Sequence, residues 1–231
     1  MGGLIDRIEG QVGGASAEAV RRLEAGESWG AVAGGLGLGP SDLIAAVARA
    51  GLGGMGSEGP GLTRSEPAYP RLVGAIAEGS LADLLPGSTR PARLALAAGL
   101  LQILDGWEAS HAAAQEAEDL GDRATSAYWH LIAHRREPDS GNAHYWARRV
   151  GRHPTLGPIA ESARPILQAH GDGALTVRLV VWASLDPAAM IDLCTNARPG
   201  TPTASLARRL QRLEMIHLLD ATLDAATPAG G

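Results

Sequence analysis

With 231 residues, 25 acidic and 20 basic side chains and a formal charge of −5, the chain can bury one substantial core, or one core with a small attachment, and has no general affinity for nucleic acid. Its single cysteine, Cys194, excludes an intrachain disulfide and any all-cysteine zinc or iron–sulfur site within one chain. Phe is absent, so Ala and Leu must supply most of the core, and helices bearing small side chains can approach closely around the five Trp and three Tyr.

The opening MGGLIDRIEGQVGG lacks the basic and apolar regions of a secretory signal, and no stretch approaches 18 uncharged apolar residues. A cytoplasmic protein with no membrane partner is therefore expected. Residues 16 to 51 predict three short helices with glycine-rich joints: SAEAVRRLEAG, ESWGAVAGG and SDLIAAVARAG, the last capped by Ser41 and ended by Gly51. They superficially suggest a helix-turn-helix. The third offers only Arg49 to a phosphate and has no amide-rich reading face, so nucleic acid is not expected as a partner.

From Gly51 to Pro70 the concentration of Gly and Pro predicts a loop or an ordered extended wrap. It is not a phosphate loop, because no Lys-Ser or Lys-Thr follows at the required spacing and no strand precedes it. Between Thr89 and Gly121, apolar steps through Leu94, Ala97, Leu101, Leu104, Trp107 and His111 predict one long helix, with local bending permitted at Gly106.

Further helices are expected over Ser126–Arg136, over Asn142–Val150 with Gly151 as terminator, and from Pro158 towards Ala169 with a bend or early stop at Pro165. Leu175–Ala183 reads as helix or strand, helix being preferred for want of sheet partners. Asp186 and Pro187 open another helix, and ASLARRLQRLEMIHLLDATLDAA is strongly amphipathic before a fraying PAGG end. The expectation is an all-α fold, a single irregular helical domain or bundle with a long central helix. Residues 1–55 form a small cap, 56–88 a connection with a short helix, and 89–231 the main domain. The seam Leu206, Leu210, Leu213 and Ile216 packs internally or against a second copy in a homodimer.

Four of the seven histidines lie between His130 and His153, within AYWHLIAHRREPDSGNAHYWARRVGRHP. His130 and His134 are four apart, which puts both imidazoles on one face of a helix. His111 is the best partner from outside this segment. A zinc, iron or manganese site would draw on His111, His130, His134 and His144, with Glu108 or Glu137 moving a proton from metal-bound water in a metal-dependent hydrolase. The segment is not HExxH, since Leu131 stands where that motif needs glutamate.

A second functional reading centres on the arginines. Arg148, Arg149 and Arg152 with His153 would hold an anionic small molecule, and Trp129, Tyr145 and Trp146 would line its apolar side. The structural alternative has His130 and His134 bonded at a core boundary, and Asp105, Glu108 and Glu116 paired with the arginine run to join two halves of a domain. Nucleophilic catalysis has less support. Ser110, adjacent to His111, and Ser126, four before His130, lie outside a Gly-x-Ser-x-Gly elbow, and Cys194 sits in apolar MIDLC as an inert thiol.

The run WHLIAHRREPDSGNAHYWARRVGRHP, with LALAAGLLQILDGWEASHAAAQEAED before it, resembles a segment of poorly characterised bacterial proteins that share its His-Arg-Arg-Glu-Pro and Tyr-Trp-Ala-Arg-Arg patterns. The resemblance covers residues 94 to 154. It implies a common structural or ligand-binding role for the centre and no particular activity. The expected function is thus small-molecule binding with a His/carboxylate metal centre, the alternatives being a metal-dependent hydrolase and a structural or interaction protein.

Overall fold

Capping chemistry sets most element boundaries in the structure, a computed structural model that describes residues 3–10, 14–54, 56–77 and 79–227. The amino-terminal helices are α1 (Leu4–Glu9), α2 (Gly14–Glu24), α3 (Trp29–Leu36) and α4 (Pro40–Leu52). Ser28 caps α3 through the Ala31 amide. In α4 the first residue is Pro40, and the Asp42 carboxylate accepts the Gly39 amide, so Ser41 is not the cap. Nor does Gly51 end α4. It lies inside the helix where a Cβ would come within 2.3 Å of the Ile103 carbonyl oxygen, and the helix stops at Gly53, whose φ is +72°.

Two short helices follow, α5 (Pro70–Ala77) and α6 (Leu81–Leu84). The long helix expected from Thr89 to Gly121 is two helices, α7 (Arg90–Ile103) and α8 (Trp107–Asp119). Asp105 breaks it by taking φ +63°. In that conformation its carboxylate accepts the Arg136 guanidinium at 2.5 Å and the Ser65 hydroxyl at 2.9 Å. Apolar periodicity continues across the joint, so the break is invisible to a pattern that counts only hydrophobic steps.

Next come α9 (Thr125–Arg136) and α10 (Ser140–Val150), the latter capped by Asp139 and ended at Gly151. α11 (Leu156–His170) continues past Pro165 without the early stop, and Gly171 ends it at φ +80°. The ambiguous stretch after it splits into α12 (Gly173–Leu179) and a two-stranded hairpin, β1 (Val180–Val181) with β2 (Ser184–Leu185). Asp186 caps α13 (Pro187–Asn196) through the Ala188 and Ala189 amides, as its sequence predicts. The chain closes with α14 (Pro202–Ala226), and the expected fraying of PAGG lies outside the described residues.

Among the described residues these fourteen helices form a single irregular all-helical domain. The main core runs from Leu4 and Ile8 in α1 to Leu223 and Ala226 in α14, and a smaller cluster joins α11, α12, α13 and the start of α14. Close approach uses the small residues: a Cβ on Gly99 would lie 2.6 Å from the Trp129 indole. Leu206, Leu210 and Ile216 are buried within the chain, with Leu213 partly so, and that seam is covered internally.

The Gly/Pro-rich stretch after α4 is an ordered strap whose carbonyls are held by side chains of α9 and α14. Arg212 donates to Leu52, Gly53 and Gly54, Arg208 to Gly59, Gln211 to Gly61, and Arg136 to Gly61 and Thr63. A segment without regular structure must satisfy its backbone polar groups individually, and here arginines do most of that work. The strap passes beside the start of α8 and the end of α9, which carry the histidines.

Candidate metal centre

Helix α9 is buried almost all round, every residue from Ser126 to Arg136 being inaccessible. Such a helix has no solvent face on which to leave polar side chains, so each must find a partner inside. Arg135 meets Glu214 at 2.5 Å, and the same carboxylate accepts the Tyr128 hydroxyl at 2.9 Å. Arg136 reaches Asp105 and the carbonyls of Gln102, Gly61 and Thr63.

The two histidines of α9 turn to α8. One ligating atom from each of His111, His130 and His134 lies within 4.8 Å of the other two. His130 Nε2 is 2.8 Å from His111 Nε2, and the His134 ring centre is 5.0 Å from that of either neighbour. The i,i+4 spacing in α9 stacks His130 and His134 with their planes 15° apart, and His111 meets both edge-on.

Indoles close the outer sides. Trp146 of α10 stacks on His130 at 3.8 Å between centroids, and Trp107 stacks on His111 at 5.2 Å while donating its N–H to the Ala133 carbonyl. Arg149 lies over Trp146 and Arg64 of the strap over Trp107, each guanidinium favoured by the ring it covers. His130 and His134 are buried and His111 is half-buried.

This enclosure weakens the hold on protons. Burial first, then the mutual repulsion of charged imidazoles and the nearby Arg149, pushes the His130 pKa down to about 3. Burial, followed by repulsion from His134, also lowers that of His111, with Glu137 opposing. At neutral pH both rings are therefore neutral and present lone pairs, as metal ligation requires. His130 Nδ1 has no hydrogen-bond partner among the described residues.

Glu137 caps α9 and its carboxylate is 3.0 Å from His134 Nδ1, which leaves His134 Nε2 as the free ring nitrogen. A carboxylate on the far nitrogen of a ligating imidazole fixes its tautomer and raises its basicity. Glu137 and Asp139 also lie with His134 in a second group of close donor atoms. Glu108 is 83% exposed and pairs with Arg64 at 3.1 Å. His144 stands apart, its Nε2 3.1 Å from Asp192 of α13.

The side chains expected to bind an anion are dispersed. Trp129 faces the core and donates to Thr222, whereas Tyr145, Trp146 and Arg149 share a hollow of about 530 Å³ with Arg123 and Glu118. Arg152 and His153 line another of about 670 Å³ near the hairpin, and Arg148 is exposed beside Tyr145. The anticipated intramolecular pairing is present in part: Asp105 with Arg136, but Glu116 with Arg90 and Arg149 with Glu118.

Sequence reasoning missed Trp107 as a wall of the cluster. Its signal was available in the i,i+4 step from Trp107 to His111, which reads equally well as a buried apolar seam. No family model, curated protein or solved structure matches this chain, and the resemblance of residues 94 to 154 brings no family with it.

Proposed function

We propose that this protein binds one divalent transition metal, zinc by the chemistry of its donors, through His111, His130 and His134. The observation that carries this reading is the convergence of three ring nitrogens, from two helices, in an enclosure that keeps at least two of the rings neutral. Imidazole suits zinc, and manganese favours oxygen donors that this set lacks. Zinc sits about 2.0–2.1 Å from each imidazole nitrogen, so the 2.8 Å contact between His111 and His130 would open by roughly half an ångström on loading. Glu137 would act as the positioning group on His134, leaving the fourth place to water or an incoming ligand.

Metal binding is favoured over hydrolysis because both expected proton carriers are engaged elsewhere: Glu137 with His134, and Glu108 with Arg64 on an exposed face.

Elemental analysis of protein purified without chelator, followed by zinc titration of the stripped chain, tests the proposal. One equivalent per chain is expected, falling by at least about a hundredfold in affinity in His134→Ala or His111→Ala while the far-ultraviolet circular dichroism is kept. Undiminished stoichiometry and affinity in both folded variants would remove the imidazoles from the site.

A further inference from the structure

The hairpin between α12 and α13 contains the most exposed large apolar side chain of the described residues. Trp182 is 97% accessible, its neighbour Val181 is exposed, and Val177 in the last turn of α12 is 73% accessible. The register Val180 to Leu185 and Val181 to Ser184 leaves Trp182 and Ala183 as a two-residue turn, with φ of +52° and +59°. Turns of this type select Asn-Gly, because both central residues must be left-handed. A tryptophan in that conformation is strained, and its indole gains almost no contact within the chain in return.

Two cations flank this tip. Arg178 follows Val177 at the end of α12, and Arg152 lines the same hollow as Val181 and Trp182. Both are exposed, and among the described residues neither forms an ion pair. The acidic member of the hollow, Asp186, has its carboxylate turned to the Ala188 and Ala189 amides. The exposed surface at the tip is thus apolar with a cationic border, although the whole chain is acidic.

We propose that this hairpin docks peripherally on anionic lipid bilayers, Trp182 and the two valines entering the interface while Arg178 and Arg152 meet lipid phosphates. Tryptophan with neighbouring arginine is the pairing favoured at that interface. A second protein copy is a poorer occupant. A stable dimer needs about 800 Å² from each partner, and this segment has three exposed apolar side chains, of which the indole supplies at most roughly 250 Å². The contact is one of attachment, since among the described residues no single helix is long and apolar enough to cross a bilayer.

Cosedimentation of the full chain with phosphatidylcholine vesicles, with and without phosphatidylglycerol, tests this. The anionic vesicles should bind at least about tenfold more protein, with a salt-sensitive affinity. Trp182→Asn suits the left-handed turn and removes no internal contact, so it should keep its circular dichroism and thermal midpoint while binding falls about tenfold. Arg178→Glu should do the same. Equal binding to both vesicle types, or full binding by Trp182→Asn, overturns the proposal. So does a wild-type dimer in sedimentation velocity that Trp182→Asn dissociates, without vesicle binding, since that assigns the tip to a second copy.

Discussion

The two polar clusters carried by α9 are equally buried and differ in what they leave over. At Arg135 and Arg136 each charge meets a carboxylate of the same chain, with carbonyls of α7 and the strap added for Arg136, and only Arg135 Nε is left without an acceptor among the described residues. At His130 and His134 the rings face each other and His111 of α8, and the one carboxylate that reaches them, Glu137, sits on the outer nitrogen of His134. A cluster whose charges cancel internally is complete as a structural joint. One whose rings resist protonation keeps neutral nitrogen donors for a cation brought in from outside, and that contrast separates the two clusters where burial does not.

The largest expected effect lies on the arginine side. Glu214→Ala removes the carboxylate shared by Arg135 and Tyr128 and leaves a buried guanidinium uncompensated, which should cost about 3–5 kcal/mol of unfolding free energy in urea. Stripped His134→Ala should cost much less, because it strands no buried guanidinium and its one carboxylate partner, Glu137, is partly exposed to water. Equal losses in the two variants would erase the distinction between joint and site.

Zinc should reverse the ranking. With ligand at a hundredfold excess over Kd the folded state gains about 2.7 kcal/mol, visible as a rise in midpoint that a chelator abolishes. Glu214→Ala, if folded, should retain that increment, and His134→Ala should lose it. A smaller change belongs to Glu137→Gln, which keeps shape but weakens the acceptor on His134: affinity should fall by about 10–100-fold with little change in metal-free stability.

Much of the architecture was legible because local chemistry agrees with it. Asp186 and Gly151 mark helix ends where their residue types predict, and His130 with His134 share a face as four-residue spacing requires. Apart from the start of α4, where Asp42 rather than Ser41 holds the Gly39 amide, the main misses come from tertiary contact overriding local pattern. Asp105 breaks a continuous apolar periodicity because Arg136, 31 residues later, needs its carboxylate. Gly51 looks like a terminator but serves the approach of Ile103. In the site, His111 was readable as a partner, whereas His144 pairs with Asp192 of a helix whose position no spacing encodes. Trp129 falls on the opposite side of α9 from the histidines, where it fills the gap over Gly99.

Acidification addresses the histidines collectively and should produce the most gradual response. In chelated protein, His130, His111, His153 and His217 all have pKa values lowered chiefly by burial, the first to about 3. Above about pH 6.5 neither folded nor unfolded chain protonates them, and they exert no pH slope. As pH falls below that value the unfolded chain takes up protons that the folded chain refuses, so stability declines by up to about 1.4 kcal/mol per pH unit for each proton of difference. Asp122 and Asp220 act in the opposite sense, because burial raises their pKa above the ordinary 3.8 and the folded state takes their protons first. Urea midpoints should therefore begin to fall below about pH 6.5. His130→Gln, which cannot be protonated, should flatten that fall. An unchanged slope would mean that the imidazole cluster contributes nothing to the folded chain's resistance to protons.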